Sequence, residues 1–111
     1  MFVRDVQGAV SVLAPTTPLV GDVVDEFFAA VRGALRPGRP MLVLDLQQVP
    51  HVDSAGLEAL LDVQDELRAR GGEVKLAALP PVVRDALRAT RLIQQFQVFG
   101  AAKAAVGSFA S

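Results

Sequence analysis

Met41-Leu42-Val43-Leu44-Asp45-Leu46-Gln47-Gln48-Val49-Pro50-His51-Val52-Asp53-Ser54-Ala55-Gly56-Leu57 is the stretch from which the rest of the chain can be read. Its opening run, Met41 to Leu46, is apolar except for Asp45 and shows no apolar–polar alternation. Such a run suits a strand covered on both faces, the usual state inside a parallel sheet. Gln47 to Val52, broken by Pro50, reads as a loop. A helix begins at about Ser54, with Leu57, Leu60, Leu61 and Leu67 on one face. Gly71-Gly72 ends that helix, and Arg68 and Arg70 in its last turn suit the negative end of the dipole.

Upstream, Phe2 to Val6 and Ala9 to Leu13 are β-leaning segments separated by Gln7-Gly8, the pattern of a hairpin. Ala14-Pro15-Thr16-Thr17-Pro18 then reads as a loop, because two prolines in so short a span oppose ladder pairing. Asp22 is placed to cap the next helix, with Asp25 where a capping box carries its acid. Val23, Val24, Phe27, Phe28, Val31 and Leu35 recur at helical spacing, and Pro37-Gly38 stops them. Of Phe27 and Phe28, one faces the core and the other is open to a partner. Downstream, Val74 to Ala78 forms a strand, and Pro80-Pro81 opens a helix running to about Ala89 with Val83, Ala86 and Leu87 inward. Phe96 to Phe99 is a last strand with Leu92, Ile93 and Phe96 in the core at its foot. Gly100 leads into an alanine-rich helix carrying Val106 and Phe109.

Strands alternating with helices after an opening hairpin predict an α/β domain over residues 1–111. The sheet is mixed, with about five strands (the N-terminal hairpin, then parallel strands) and about four helices. In such sheets the connections just past the carboxyl ends of the strands carry function. That directs attention to the loop holding Asp53 and Ser54.

The totals narrow the function classes. The chain has 111 residues, 51% of them hydrophobic, and a net charge of −1 from 11 basic and 12 acidic residues. With no Trp or Tyr and no basic excess, it lacks the footprint of a nucleic-acid binder. Absence of cysteine removes disulfides, thiolate zinc sites and cysteine nucleophiles. Met1-Phe2-Val3-Arg4-Asp5 does not read as a secretory leader, and no apolar run approaches the ~18 residues of a membrane span, so a cytoplasmic location is expected. The mean hydropathy of +0.38 points to an apolar surface kept for a partner.

His51, Asp53 and Ser54 invite a catalytic triad, but they stand too close along the backbone to form a serine–base–orienter line. Ser54 lies in no Gly-x-Ser-x-Gly elbow. One histidine with no ligand pair supports no metal site, and no Gly-rich phosphate loop is present. No cofactor is therefore expected. The bland reading of Asp53-Ser54 is a helix cap from either side chain, in which case Ser54→Ala costs about 1 kcal/mol. The functional reading adds a switch. A serine at a helix start is open to a kinase, and its phosphate, carrying about −1.5 to −2 charges, would suit the helix end yet repel a partner docked there. Gly56 reads as a close backbone approach, and Arg84, Arg88 and Arg91 as a solvated face.

The same stretch resembles the motif of the STAS domain, the fold of bacterial anti-sigma factor antagonists: an apolar strand ending Asp45-Leu46, a short loop, then Asp53-Ser54-Ala55-Gly56-Leu57 opening a helix. The order of elements fits from Phe2 to Phe109. The resemblance implies a non-enzymatic protein whose partner is an anti-sigma factor that is also a serine kinase of the histidine-kinase-type ATPase fold. Phosphorylation of Ser54 would end the binding, a phosphatase would restore it, and Asp53 would help position Ser54. The implied contact residues are His51, Asp53, Ser54, Ala55, Gly56, Leu57 and Glu58, with Asp62 and Asp65 beside them on the same helix.

Two departures stand out. Where the family often has Gly-x-Leu-Asp, this chain has Thr17-Pro18-Leu19-Val20, a pattern nearer to STAS domains attached to anion transporters. His51 replaces the usual apolar or aromatic residue. A docking subunit of an ATPase or transporter assembly, without phosphorylation, is the alternative reading, and a nucleotide-binding or hydrolytic enzyme is a third.

Overall fold

In the computed structural model, which describes residues 2–7 and 9–110, both faces of the central strand are covered, as its unbroken apolar run requires. Strands β1 (Phe2–Gln7), β2 (Val10–Pro15), β3 (Met41–Asp45), β4 (Glu73–Ala77) and β5 (Val98–Phe99) lie side by side in chain order. β1 and β2 are antiparallel; every later pair is parallel. Gly8, expected in the hairpin turn, lies outside the described residues.

Helices α1 (Val24–Ala34), α2 (Ser54–Ala69) and α3 (Pro81–Ala89) follow β2, β3 and β4 in turn. The main core joins Leu13, Leu42, Leu44, Val74 and Leu76 of the sheet to Phe27, Val31, Leu60, Val63, Leu67, Val83 and Leu87 of these helices. Alternate sheet residues, Val10, Val12, Val43 and Ala77, form a second cluster beneath Ala105 of α4 (Ala102–Ser108). Val43 thus points away from Leu42 and Leu44 and is still fully buried. Apolar content is consumed by these two cores rather than kept on the surface: among the described residues Val82 is the large hydrophobic left exposed.

Several local expectations need correction. Pro15 is paired in β2, opposite Phe2, although a proline loop was expected. The pairing of β2 with β3 ends at Leu13, so the missing Pro15 amide removes no bond on that side. Asp22 does not cap α1. It sits in a 3-10 turn, Gly21–Val23, that runs straight into the helix, whose N-cap is Val23 with no side-chain bond. On α2, Leu61 is only half-buried, while Val63 and Gln64 are buried. Leu92 to Gln95 form a 3-10 turn, and the last strand keeps only Val98 and Phe99.

The end of α2 shows why two glycines stand together. Gly71 adopts the left-handed conformation, φ +76°, and donates to the Arg68 carbonyl at 3.0 Å, while the Gly72 amide reaches back to Leu67 at 2.8 Å. This is a Schellman close, and Gly71 supplies its left-handed residue. Gly72 is demanded by sterics: any Cβ there would collide with the carbonyl oxygen of Pro40, just before β3. Gly72→Ala is therefore expected to destabilise the fold by about 2–3 kcal/mol. Gly100, which has open space around it, serves as the control, with Gly100→Ala changing stability by less than about 0.5 kcal/mol. Urea unfolding midpoints of the two variants check this.

Candidate functional site: a shared helix cap beside an exposed serine

The chain leaves β3 through a turn that Asp45 and Leu46 build together. Asp45 Oδ1 accepts the Gln47 amide at 3.1 Å, bending the backbone as the strand ends. Leu46 and Val49 drop into the core, and the Val49 amide closes the turn on the Leu46 carbonyl at 3.0 Å. Pro50 and His51 are thereby left outside, both exposed.

A second segment then locks the loop. Leu19, buried in the core, forms an isolated parallel bridge with Val52. Its amide donates to the His51 carbonyl at 3.1 Å, and its own carbonyl accepts the Asp53 amide at 3.2 Å. Gly56 lies against that same Leu19 carbonyl, which any Cβ at Gly56 would strike. The close approach expected of Gly56 is this contact. Leu19, noted in the sequence only as the surviving residue of a family pattern, is the support that sequence reasoning missed. A leucine between Pro18 and Val20 gives no sign that both its backbone groups will be used.

Asp53 completes the arrangement. Its Oδ1 accepts the amide of Gly56, the third residue of α2, at 2.9 Å, as an N-cap does. Its Oδ2 accepts the amide of Gly21, at the turn leading into α1, at 3.1 Å. One carboxylate therefore caps two helix starts. The hydrogen bonds from Gly56 and then Gly21 hold the Asp53 carboxyl below its usual range, against a smaller opposing effect of desolvation.

Ser54, the first residue of α2, is exposed, and its side chain takes no part in the cap, which corrects the expectation that either side chain could serve. Among the described residues its hydroxyl has no hydrogen-bond partner. Ala55 is half-buried and Glu58 exposed, while Gly56 and Leu57 are buried. These last two shape the surface from beneath, Gly56 against the Leu19 carbonyl and Leu57 in the core. Along α2, Ser54, Glu58, Asp62 and Asp65 share the outward ridge, all exposed.

The family model for the STAS domain matches residues 2–105. BtrV of Bordetella bronchiseptica, which carries the name of an anti-sigma factor antagonist, is 31% identical over 85 residues, 77% of this chain and 73% of that protein. A Thermotoga maritima structure under the same functional name superposes with a TM-score of 0.90 at 20% identity, covering 99% of this chain and 95% of that one. Part of the murine anion transporter Slc26a9 has the same fold, with a TM-score of 0.80 at 20% identity over 92% of this chain and 18% of the transporter.

The shared cap carries its own pH signature. A carboxyl whose folded pKa is depressed contributes stability that is complete above its unfolded value, about 3.9, and is lost as pH falls through the lower folded value. Asp53→Asn is expected to be less stable than wild type at neutral pH, with the gap closing only below about pH 4, measurable by urea unfolding across a pH series. Gly56→Ala, which drives a methyl into the Leu19 carbonyl, is expected to cost about 3 kcal/mol or more at every pH. Matched by the family model along most of its length and by a relative 31% identical, the chain belongs to the STAS domain family as a homologue of anti-sigma factor antagonists.

Proposed function

We propose that this protein is an anti-sigma factor antagonist that binds an anti-sigma factor serine kinase of the histidine-kinase-type ATPase fold and is released when Ser54 is phosphorylated. The observation that carries the proposal is the division of labour at the start of α2. Asp53 does the capping with both oxygens engaged, and the neighbouring Ser54 hydroxyl is exposed and free of structural duty. A kinase can take that hydroxyl without dismantling the helix.

The charge argument runs in the same direction. A phosphate at Ser54 adds about −1.5 to −2 charges to a corner that already holds Asp53. It also heads a ridge bearing Glu58, Asp62 and Asp65, none of them ion-paired among the described residues. The helix N-terminus tolerates the new charge, so the fold survives while a partner fitted to the unmodified corner is repelled. His51, Asp53, Ser54, Ala55 and Glu58 form the contact surface, with Gly56 and Leu57 holding it in shape. In this reading the protein catalyses nothing, works in the cytoplasm as one domain across residues 1–111, and is reset by a phosphatase.

The second reading, a docking subunit of an ATPase or transporter assembly, draws its support from the fold shared with part of Slc26a9. Intact-mass spectrometry of the protein from its native cell separates the two: a single phosphate mapped to Ser54 is expected, and unmodified protein under all growth and stress conditions favours docking. With the cognate kinase, Ser54→Ala should bind as wild type and resist release by ATP, while its unfolding free energy stays within about 0.5 kcal/mol, because Ser54 is not the cap. Ser54→Asp should weaken binding by roughly 10- to 100-fold, the scale of a like-charge clash at an interface. Binding of Ser54→Asp at wild-type strength, read by titration calorimetry, would eliminate the charge switch.

A further inference from the structure

The second face of the sheet holds a feature unrelated to the Ser54 corner. Lys75, on β4, is only 7% exposed, although an ammonium is rarely buried without an acid beside it. Its Nζ donates to Ser108 Oγ at 2.7 Å and lies 4.0 Å from the ring centre of Phe109 and 5.7 Å from that of Phe99. The nearest acid along its strand, Glu73, is paired with Arg68 at 3.3 Å. A hydroxyl and two aromatic faces therefore compensate the buried cation, and no carboxylate pairs with it among the described residues.

Phe109, with Met41, also lines two clefts. One, of about 320 Å³, is lined by Val10, Met41, Val106 and Phe109 together with Ala9 and Gly107. The other, of about 270 Å³, is lined by Met41, Phe109, Arg39 and Glu73. The larger is apolar in its side chains and falls at the small end of the size range of ligand sites. The Phe109 ring thus lines the apolar cleft and also covers the buried Lys75 cation, which itself lines neither cleft. Turning that ring aside exchanges a cation–π contact for an ion pair with any anion at the end of a chain seated in the cleft.

We propose that this face binds a small amphiphilic carboxylate, its apolar chain lying in the cleft along Met41 and Val106 and its carboxylate pairing with Lys75 in place of Phe109. The carboxylate end follows from the buried ammonium, and the apolar chain from the lining. The site is independent of Ser54 and lies on the opposite face of the sheet from α2.

The probe is octanoate, with octanol and octylammonium as neutral and cationic counterparts of the same chain length. Because the chain has no Trp or Tyr, binding is read by NMR shifts of the Met41, Val10 and Val106 methyls rather than by intrinsic fluorescence. Octanoate is expected to bind at least tenfold more tightly than octanol, with octylammonium weakest. Lys75→Met, which keeps the apolar stem, should abolish the preference for octanoate over octanol while retaining chain binding. Gly107→Leu, at a cleft-lining position where an added Cβ meets nothing within 4 Å, should fill the cleft and weaken all three probes while leaving the Lys75 contacts intact. Equal affinity for octanoate and octanol in wild type, no shift with any probe, or an undiminished octanoate preference in folded Lys75→Met would each overturn the proposal.

Discussion

One carboxylate holds the working end of this molecule together. Asp53 takes a backbone amide from each of two helix starts, one at Gly56 and one at Gly21, which are far apart in sequence. Helix starts carry unsatisfied amides whatever the sequence. Bringing two of them to one acid satisfies both, and it ties the start of α2 to the turn that leads into α1. The Leu19 backbone completes the joint from below, bonded on one side to His51 and on the other to Asp53. Gly56 is the only kind of residue that lets the joint close, because its missing Cβ is where the Leu19 carbonyl sits.

That constraint explains how an exposed serine can stand next to a capping aspartate without the two competing. In many helix starts the serine is itself the cap, and modifying it would cost the helix a bond. Here capping is assigned to the residue before it. The hydroxyl of Ser54 is left at the first helical position with no structural role, which is the condition a reversible modification needs. The aspartate's depressed pKa follows from the same geometry: with both oxygens engaged by amides, it stays ionised throughout the physiological range and keeps its negative charge next to Ser54.

Much of the architecture was legible in the sequence because the signals were local and periodic. The unalternating run at Met41–Leu46 announced a strand covered on both faces, and the stripe around Phe27 and Val31 announced a helix. The short motif from Asp45 to Leu57 pointed to the family and the corner. What escaped was non-local. Pro15 has the sequence signature of a loop because its partner across the hairpin is non-local, and Asp22 has that of a cap because nothing near it in sequence reveals that Asp53, 31 residues on, takes the amide of Gly21. Lys75 in a short apolar strand carried no warning that α4 and Phe109 would bury it.

The two faces of the sheet therefore have different characters, and the difference follows from how each is covered. Three helices close the first face with large aliphatic side chains, and its chemistry is pushed out to the loops at the strand ends. Among the described residues the second face is covered by a single short helix, and an apolar cleft remains beside its Val106 and Gly107. A lysine can be buried there because Phe109 and Ser108 fold back over it. A face so thinly covered is where a small domain has room for a ligand, and a buried cation held by a hydroxyl and two rings rather than by a carboxylate gives that room a chemical preference.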